Sequence, residues 1–456
     1  MFFVEKECNL LYNEYVVYMK KINFELIFIF IITLLYNIFC NPISIDDVWS
    51  YGFSYNIANG LVPYVDFNMV IGPLFPIIAS LFLVIFGKNM LVFNIFGAII
   101  ATILFYFMKK INNKCYYIIY AIFLFFSSPN YNILCLLLLY ILLYLEKKQN
   151  NDYIIGIILG IIIFIKINIG IFLCIPSLFT KNPKRILKRI LGCETIFLLG
   201  ILIMLFCGNL DGFFNYTILG LLDFTNNTKF YNWGILTIFS IIVLLYFYII
   251  KKDKSINIIY LLCFQIICYP IFDTYHVIIA FIPVLGYLLN KVNLNKRICQ
   301  ISFLFFLLLI CIYNLYSSNI NNKIFDDNSM LFKYKMIEKN ISLEIKEIVS
   351  YIKNNDANKD IYIFDSMAYI YKLESNIAIN KFDLISYGNM GYKGTYVYIN
   401  DINDNCRNNN CLFLLNHYEL SGLLNNQTNK ELVKYIINNY EKVDEISYID
   451  VYSDGG

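Results

Sequence analysis

Charge is scarce in this chain of 456 residues: Asp, Glu, Lys and Arg together make up 15% of it, against about a quarter in soluble domains. Hydrophobic residues fill 59%, so the chain is expected in a bilayer rather than in water. The 36 basic and 33 acidic residues leave a net charge of only +3, too small a field to gather nucleic acid. Histidine (2), tryptophan (2) and proline (9) are rare. Missing motifs exclude several chemistries: the chain has no GxxxxGK phosphate loop, no HExxH and no GxSxG. Its 13 cysteines contain no CxxC and no Cys/His metal spacing. No cofactor is expected, therefore, and a divalent metal is not indicated. Most cysteines, such as Cys135, Cys174, Cys263 and Cys268, sit in apolar runs and read as small hydrophobes. Only Cys406 and Cys411 lie close together in a polar stretch. A bridge there needs an extracytoplasmic location, and the reading leans to free thiols.

What is present is a series of apolar runs separated by short basic clusters, and basic residues in short loops mark the cytoplasmic side. Lys20 and Lys21 place the N-terminus inside, before an apolar run that lacks a small-residue cleavage site and reads as a signal anchor. Between Cys40 and Lys109 lie two apolar runs, Ile71 to Gly87 and Leu91 to Met108. Were both to cross, Lys109, Lys110 and Lys114 would fall outside. The first is shorter than the about 20 residues a spanning helix needs and carries Pro73 and Pro76. It is therefore expected to lie along the outer surface. Alternation then gives spans at Cys115 to Ser128, Tyr131 to Leu145, Tyr153 to Ile165, Ile167 to Phe179, Ile190 to Cys207, Trp233 to Ile250, Ile256 to Tyr269, Val277 to Leu289 and Ile298 to Tyr316. The expected fold class is an α-helical polytopic membrane protein of about 11 transmembrane helices, with interfacial helices in a first outer loop over 41–90. Trp49 and Trp233 fall at outer ends of spans, where interfacial aromatics belong.

From Ser317 the composition turns polar. Ile341, Ile345, Ile348, Val349 and Ile352 recur at helical spacing, Asp360 to Asp365 and Cys411 to Leu415 read as strands, Lys430 to Tyr440 as a helix and Ile446 to Tyr452 as a terminal strand. Residues 1–316 are thus expected as the membrane domain and 317–456 as a small extracytoplasmic α/β domain. The Asn-rich stretch Asn403 to Asn410 is expected as a loop.

Candidate chemistry gathers at outer membrane boundaries, where an ionisable group is costly unless it meets water, an ion or a substrate. Asp46 and Asp47 follow the first span. Ser44-Ile-Asp-Asp also fits a capping box, which gives Asp47 a structural role as readily as a functional one. Asp46 has only the helix dipole to explain it and is the stronger candidate. Tyr51 and Tyr55 continue that helix one turn apart. Asp66 lies in Pro63-Tyr-Val-Asp-Phe-Asn, a turn aspartate or a second acid. Asp273 and His276 stand three residues apart at another boundary, close enough to share a hydrogen bond. Lys166, nearly alone as an outer basic residue, is either a phosphate ligand or a lysine snorkelling to the interface.

The order of these features resembles one family. A first span, an outer acidic pair, Tyr/Ala/Gly, Pro63-Tyr-Val-Asp-Phe-Asn, Gly72-Pro-Leu and a short helix ending in Phe86-Gly are similar to the GT-C membrane glycosyltransferases. The nearest are those grouped with bacterial family 39 and the aminoarabinose-type transferases; protein O-mannosyltransferases are more distant. Asp273 through His276 to Pro283 resembles an Asp-x-x-His…Pro pattern of bacterial members. The resemblance is carried by about the first hundred residues and by Pro270 to Pro283; elsewhere it is hydropathy alone. It implies a polyprenyl-phosphate sugar donor embedded in membrane lipid, and an envelope glycan, lipid or protein as acceptor. It implies a bacterial cell membrane and Asp46 as the general base, with no nucleotide-binding domain needed. Several relatives carry a basic residue just before the proline of the interfacial helix, where this chain has Val70-Ile71-Gly72. Phosphate binding would fall to Lys166 or His276. A transporter or flippase, or a polymerase of lipid-linked glycans, is the competing expectation, although the internal repeats common in transporters are not visible.

Overall fold

A backbone in hydrocarbon must satisfy its own N–H and C=O groups, and a helix does so within one segment. The computed structural model describes residues 24–453 apart from 41–44, 113–114, 150, 181, 222–228, 231, 270, 293–294, 318–322, 356–358, 366, 378, 380–382, 384–388, 407–409 and 418–429. Every expected span is helical in it. α1 (Phe24–Phe39) is followed in the first loop by α2 (Ile45–Ala58) and α3 (Leu74–Phe86). Then come α4 (Met90–Ile111), α5 (Tyr116–Leu124), α6 (Tyr131–Lys148), α7 (Asp152–Ile165), α8 (Ile167–Leu178) and α9 (Pro183–Phe206). A short α10 (Leu210–Phe214) leads on to α11 (Gly234–Ile249), α12 (Ile256–Phe264), α13 (Thr274–Lys291) and α14 (Lys296–Ser317). Among the described residues, α4, α9 and α13 are long and apolar enough to cross a bilayer unaided. Most of the others are shorter, and α12 tightens into a 3₁₀ turn over Gln265–Cys268.

One boundary differs from expectation in a telling way. α9 begins at Pro183, with Asn182 as its cap, well before Ile190. Its first turns carry Arg185 and Arg189 onto α7, where Gly156 and Gly192 let the backbones touch: a Cβ on Gly156 would stand 2.1 Å from the Arg189 carbonyl oxygen. Arg189, only 1% exposed, bonds Glu146 at 2.7 Å and Asp152 at 2.8 Å; Arg185 reaches Asp152 at 2.9 Å. Tyr260 closes the group by donating to Glu146 at 3.1 Å. Two residues of a basic cluster that composition reads as a loop, Arg185 and Arg189, thus belong to an inward-facing ion network.

The first loop is seated by one close approach. Tyr64 takes a left-handed backbone conformation (φ 66°) and turns the chain, its hydroxyl donating to the Ile71 carbonyl at 2.6 Å. The Gly72 N–H then donates to the Ile165 carbonyl at the end of α7, at 3.1 Å. No side chain fits there, because a Cβ on Gly72 would lie 2.1 Å from the Phe164 carbonyl oxygen. Pro73 follows directly and opens α3.

The polar C-terminal part carries α15 (Lys339–Asn355), α16 (Ala368–Ser375), α17 (Gly394–Cys406) and α18 (Lys430–Asn439) about one small sheet. After two short pairs, β1 (Lys229–Phe230) with β2 (Ile271–Phe272) and β3 (Lys323–Ile324) with β4 (Ile337–Glu338), its strands are β5 (Lys359–Phe364), β6 (Asn410–Asn416), β7 (Glu441–Ile446) and β8 (Ile449–Ser453), in the order β5-β6-β8-β7. The β5–β6 pair is parallel and the others antiparallel. Alternation sorts the two faces. Ile361, Ile363, Leu412 and Leu414 join the main core, whereas Tyr362, Phe364, Phe413 and Leu415 face a second cluster with Tyr398, Ile402, Leu432 and Ile436. The terminal strand expected at Ile446 is the second arm of a hairpin, whose first arm is too exposed to show an apolar pattern. Asn403 to Cys406 belong to α17 rather than to the expected loop. Cys406 and Cys411 form a disulfide, with their Cα atoms 5.5 Å apart. The lean toward free thiols is thus corrected: the pairing of α17 with β6 brings the two together.

The seat of the first loop is directly testable. Gly72→Ala is expected to cost about 1–3 kcal/mol through overpacking against backbone that cannot yield. The measurement is the thermal midpoint of the detergent-solubilised protein, which should fall by several degrees; an unchanged midpoint contradicts the close approach.

Candidate functional site

Several separated segments meet at one cavity of about 300 Å³, and most of the charged residues singled out in the sequence meet there with them. Asp46 comes from the first turn of α2, Lys166 from the turn between α7 and α8, and Asp273 and His276 from the start of α13. Trp49, Tyr131, Tyr269 and Tyr275 supply aromatic wall, and Val70, Ile71, Ile267 and Ile271 apolar wall. Few convergent polar groups in a mostly apolar concavity are the usual form of a small-ligand site.

The polar groups are linked by their donor and acceptor capacities. Lys166 Nζ can only donate, and it donates to Asn132 Oδ1 at 3.0 Å. That fixes the amide, so Asn132 Nδ2 faces His276 Nε2 at 3.4 Å. The other ring nitrogen, Nδ1, lies 2.9 and 3.0 Å from the two Asp273 carboxylate oxygens. An Nδ1 proton donated to Asp273 turns Nε2 toward the Asn132 amide. Asp273 also caps α13, accepting from the His276 N–H at 2.8 Å. Burial works against the Asp273 carboxylate, but the charge and hydrogen bonds of His276, with Lys166 behind them, hold it below the usual carboxylate range. Lys166 lies 5.3 Å from the centre of the Tyr131 ring, turned inward rather than snorkelling.

Asp46 behaves in the opposite sense. Protein surrounds its carboxyl while part of its surface stays open to the cavity. Burial lifts it above the usual carboxylate range; His276 and Lys166 oppose that, while Asp273 and Asp47 reinforce it. Carboxyls with affinities pushed apart in one cleft are the pattern expected of acid–base chemistry.

The remaining candidates lie elsewhere. Asp47 points away from the cavity, accepting from Ser128 Oγ at 2.7 Å and lying 3.8 Å from Lys335 Nζ. The capping partner proposed for it, Ser44, is outside the described residues. Asp66 is not brought to the cavity: it is exposed, and its carboxylate closes a turn by accepting from the Val62 N–H at 2.6 Å. Tyr51 is buried against Phe93 and donates to the Lys88 carbonyl at 3.2 Å, and Tyr55 packs beside it. Neither lines the cavity.

Sequence reasoning missed Asn132, Tyr131, Tyr275, Asn168 and Asn389. Asn132 and Tyr131 stood in plain view beside the Ser128-Pro129-Asn130 turn, yet in so Asn-rich a chain residue type alone carries little signal. Asn130 caps α6 by accepting from Asn132 N at 3.0 Å and pairs with the Tyr275 hydroxyl at 2.7 Å, which sets both aromatic walls. Asn389 reaches the cavity from the C-terminal part, joined to the first loop by a hydrogen bond from Asn68 Nδ2 to its carbonyl.

No sequence-family model and no curated protein matches the chain. By fold it is similar to ArnT from Cupriavidus metallidurans bound to undecaprenyl phosphate, with a TM-score of 0.56 and 9% identity over 96% of this chain and 98% of that one. ArnT from the same organism in the apo state gives 0.53 over the same shares. The fold is therefore of the ArnT kind, a membrane-protein fold with a small C-terminal sheet domain.

An acid whose affinity is raised by folding contributes stability that is present below its unfolded value and lost as pH rises through its folded one. Asp46→Asn, which cannot ionise, should therefore raise the thermal midpoint at pH 7 by a few degrees over the native chain. The gain should shrink as pH falls toward the ordinary aspartate range, about 3.9. Thermal unfolding of both proteins across that range checks the sign; a gain that grows on acidification refutes the assignment.

Proposed function

We propose that the protein is a glycosyltransferase that moves a sugar from a polyprenyl-phosphate donor to an acceptor of the cell envelope, on the outer face of the membrane. The observation that carries this reading is the single cavity in which Asp46 faces Lys166 and the Asp273–His276 pair. The ArnT-like fold supports it, since one neighbour is described with undecaprenyl phosphate bound.

The chemistry follows from the groups present. An acceptor hydroxyl attacks the anomeric carbon, and its proton passes to Asp46, whose raised affinity suits a base working near neutral pH. As the new C–O bond forms, the bond from the anomeric carbon to the phosphate oxygen breaks and its electrons stay on the phosphate. Lys166 is the cation that meets that charge, oriented by Asn132. His276, held by Asp273 with Nε2 toward Asn132, anchors the other end of the hydrogen-bonded chain that orients Lys166. Trp49, Tyr131 and Tyr275 offer faces on which a sugar ring can lie.

The cavity belongs outside in this reading. Lys109, Lys110, Lys147 and Lys148 end α4 and α6 at the far side from the Ser128-Pro129-Asn130 turn, and such clusters favour the cytoplasm. The Cys406–Cys411 bridge suits an oxidising compartment for the C-terminal domain. α3 spans 13 residues, about 20 Å, short of a hydrocarbon core of about 30 Å, which supports an interfacial placement.

Transfer from a radiolabelled polyprenyl-phosphate sugar in membranes tests the mechanism. Asp46→Asn should lower the rate by about 10²–10⁴-fold, and Lys166→Met should weaken use of the donor by about 10-fold or more, the loss of one charge-assisted bond. Undiminished transfer by Asp46→Asn removes the base from the scheme. A single cysteine placed at Lys88 should label only from outside; labelling only from the cytoplasm reverses the topology.

A further inference from the structure

Residues 323–338 form a strap closed by β3 (Lys323–Ile324) against β4 (Ile337–Glu338). The strap is held firmly. Glu374 accepts from Ser329 Oγ at 2.6 Å and from the N–H groups of Met330 and Leu331 at 3.0 and 2.8 Å. Asp326 takes Lys346 at 2.6 Å and Ser342 at 3.0 Å. Met336 N–H donates to the Ile38 carbonyl near the end of α1 at 3.0 Å. Between these anchors Lys335 points inward. Its ammonium, 1% exposed, stands 3.8 Å from the Asp47 carboxylate, also 1% exposed.

We propose that Lys335 is a positioning residue for the acidic pair. Its charge offsets part of the Asp47 charge beside Asp46, and its strap keeps α2 turned with Asp46 to the cavity. Buried charges persist only in such pairs, and removing one partner is far costlier than removing both. The inference rests on the glycosyltransferase reading only for its kinetic arm.

The charged and titratable groups that face Asp46 are Asp47 on its own helix, Lys166 at the α7–α8 turn, Asp273 and His276 on α13, and the Tyr131 and Tyr275 hydroxyls. Asp47 is faced by Lys335 and Tyr275 and bonded by Ser128. Lys335 and Asp47 can be removed without touching the others. Losing the cation leaves an anion beside Asp46 and raises the pH at which it ionises; losing the anion lowers it; losing both restores it.

The test is an infrared titration of the full-length solubilised protein, following the carboxyl band that Asp46→Asn abolishes. In Lys335→Met the band should titrate higher by about one pH unit, in Asp47→Asn lower by a similar amount, and in the double variant within a fraction of a unit of the native protein. If Lys335→Met does not fold, the Asp47→Asn shift and its reversal in the double variant decide, with Lys335→Arg expected to match the native titration. A band that stays put in every variant, or a double variant displaced as far as either single one, overturns the proposal. The acid limb of sugar transfer is measured on the same variants. Should the band move while the limb does not, Lys335 keeps its role and Asp46 loses that of base.

Discussion

A backbone hydrogen bond from Gly72 to Ile165, possible only because residue 72 has no side chain, holds the first loop on the turn that carries Lys166. Both sides of the cavity depend on it. On one side, Val70 and Ile71 become wall and α2 is set with Asp46 facing in; on the other, Lys166 is presented at the mouth of α7 and α8. Tyr64 reinforces the seat twice, by its bond to Ile71 and by packing on Phe213 beyond α9. The loop is thus fastened to the helices that face it, not merely tethered by its ends. This is the condition under which groups distant in sequence can hold a fixed geometry.

Two groups of charged residues among the described helices differ in how their charge is balanced. At one end, Glu146 and Asp152 meet Arg185, Arg189 and the Tyr260 hydroxyl at close range, and Arg189 is almost fully enclosed. Such a network locks α6, α7, α9 and α12 together and has little capacity left to engage a substrate. At the other end, Lys166 donates to an amide and a backbone carbonyl rather than to a carboxylate. Asp46 lines the cavity without a cation in bonding contact among the described residues. Groups held in that under-compensated state are disposed to exchange a proton or meet a charged ligand. The contrast, rather than the mere presence of ionisable groups, distinguishes the cavity from the scaffold.

The sequence disclosed the helices and most of the charged site because both follow from local rules. Apolar runs and basic ends located α4, α6 and α13, and the cost of a carboxylate at a membrane boundary singled out Asp46 and Asp273. What it did not disclose depends on side-chain direction. Asp46 and Asp47 are neighbours, yet the helical turn of about 100° per residue sends one to the cavity and the other to Ser128 and Lys335. Asp66 shares the motif but spends its carboxylate on its own turn. Asn132 became visible only when Lys166 and His276 were seen to approach it from opposite sides. The α9 start was misjudged because Arg189 reads as a loop residue until its partners on α6 and α7 are known.

Composition divides the chain near residue 316, but packing does not follow that line. Leu331, Phe332, Ile345, Ile348 and Tyr369 belong to the same apolar cluster as Phe53 and Phe67 of the first loop, and Tyr369 meets Phe53 edge to face at 5.6 Å. Asn56 donates to Ile379, and Asn68 bonds both Asn389 and Tyr398. One face of the sheet domain therefore serves as a lid over α2, while its other face builds a core of its own. Asn389 at the cavity wall and Lys335 beneath the acidic pair are the two places where this packing becomes chemistry. A part of the chain that looks like an appended domain supplies Asn389 to the cavity wall, and the Asp46–Asp47 pair is held from both sides of the supposed boundary.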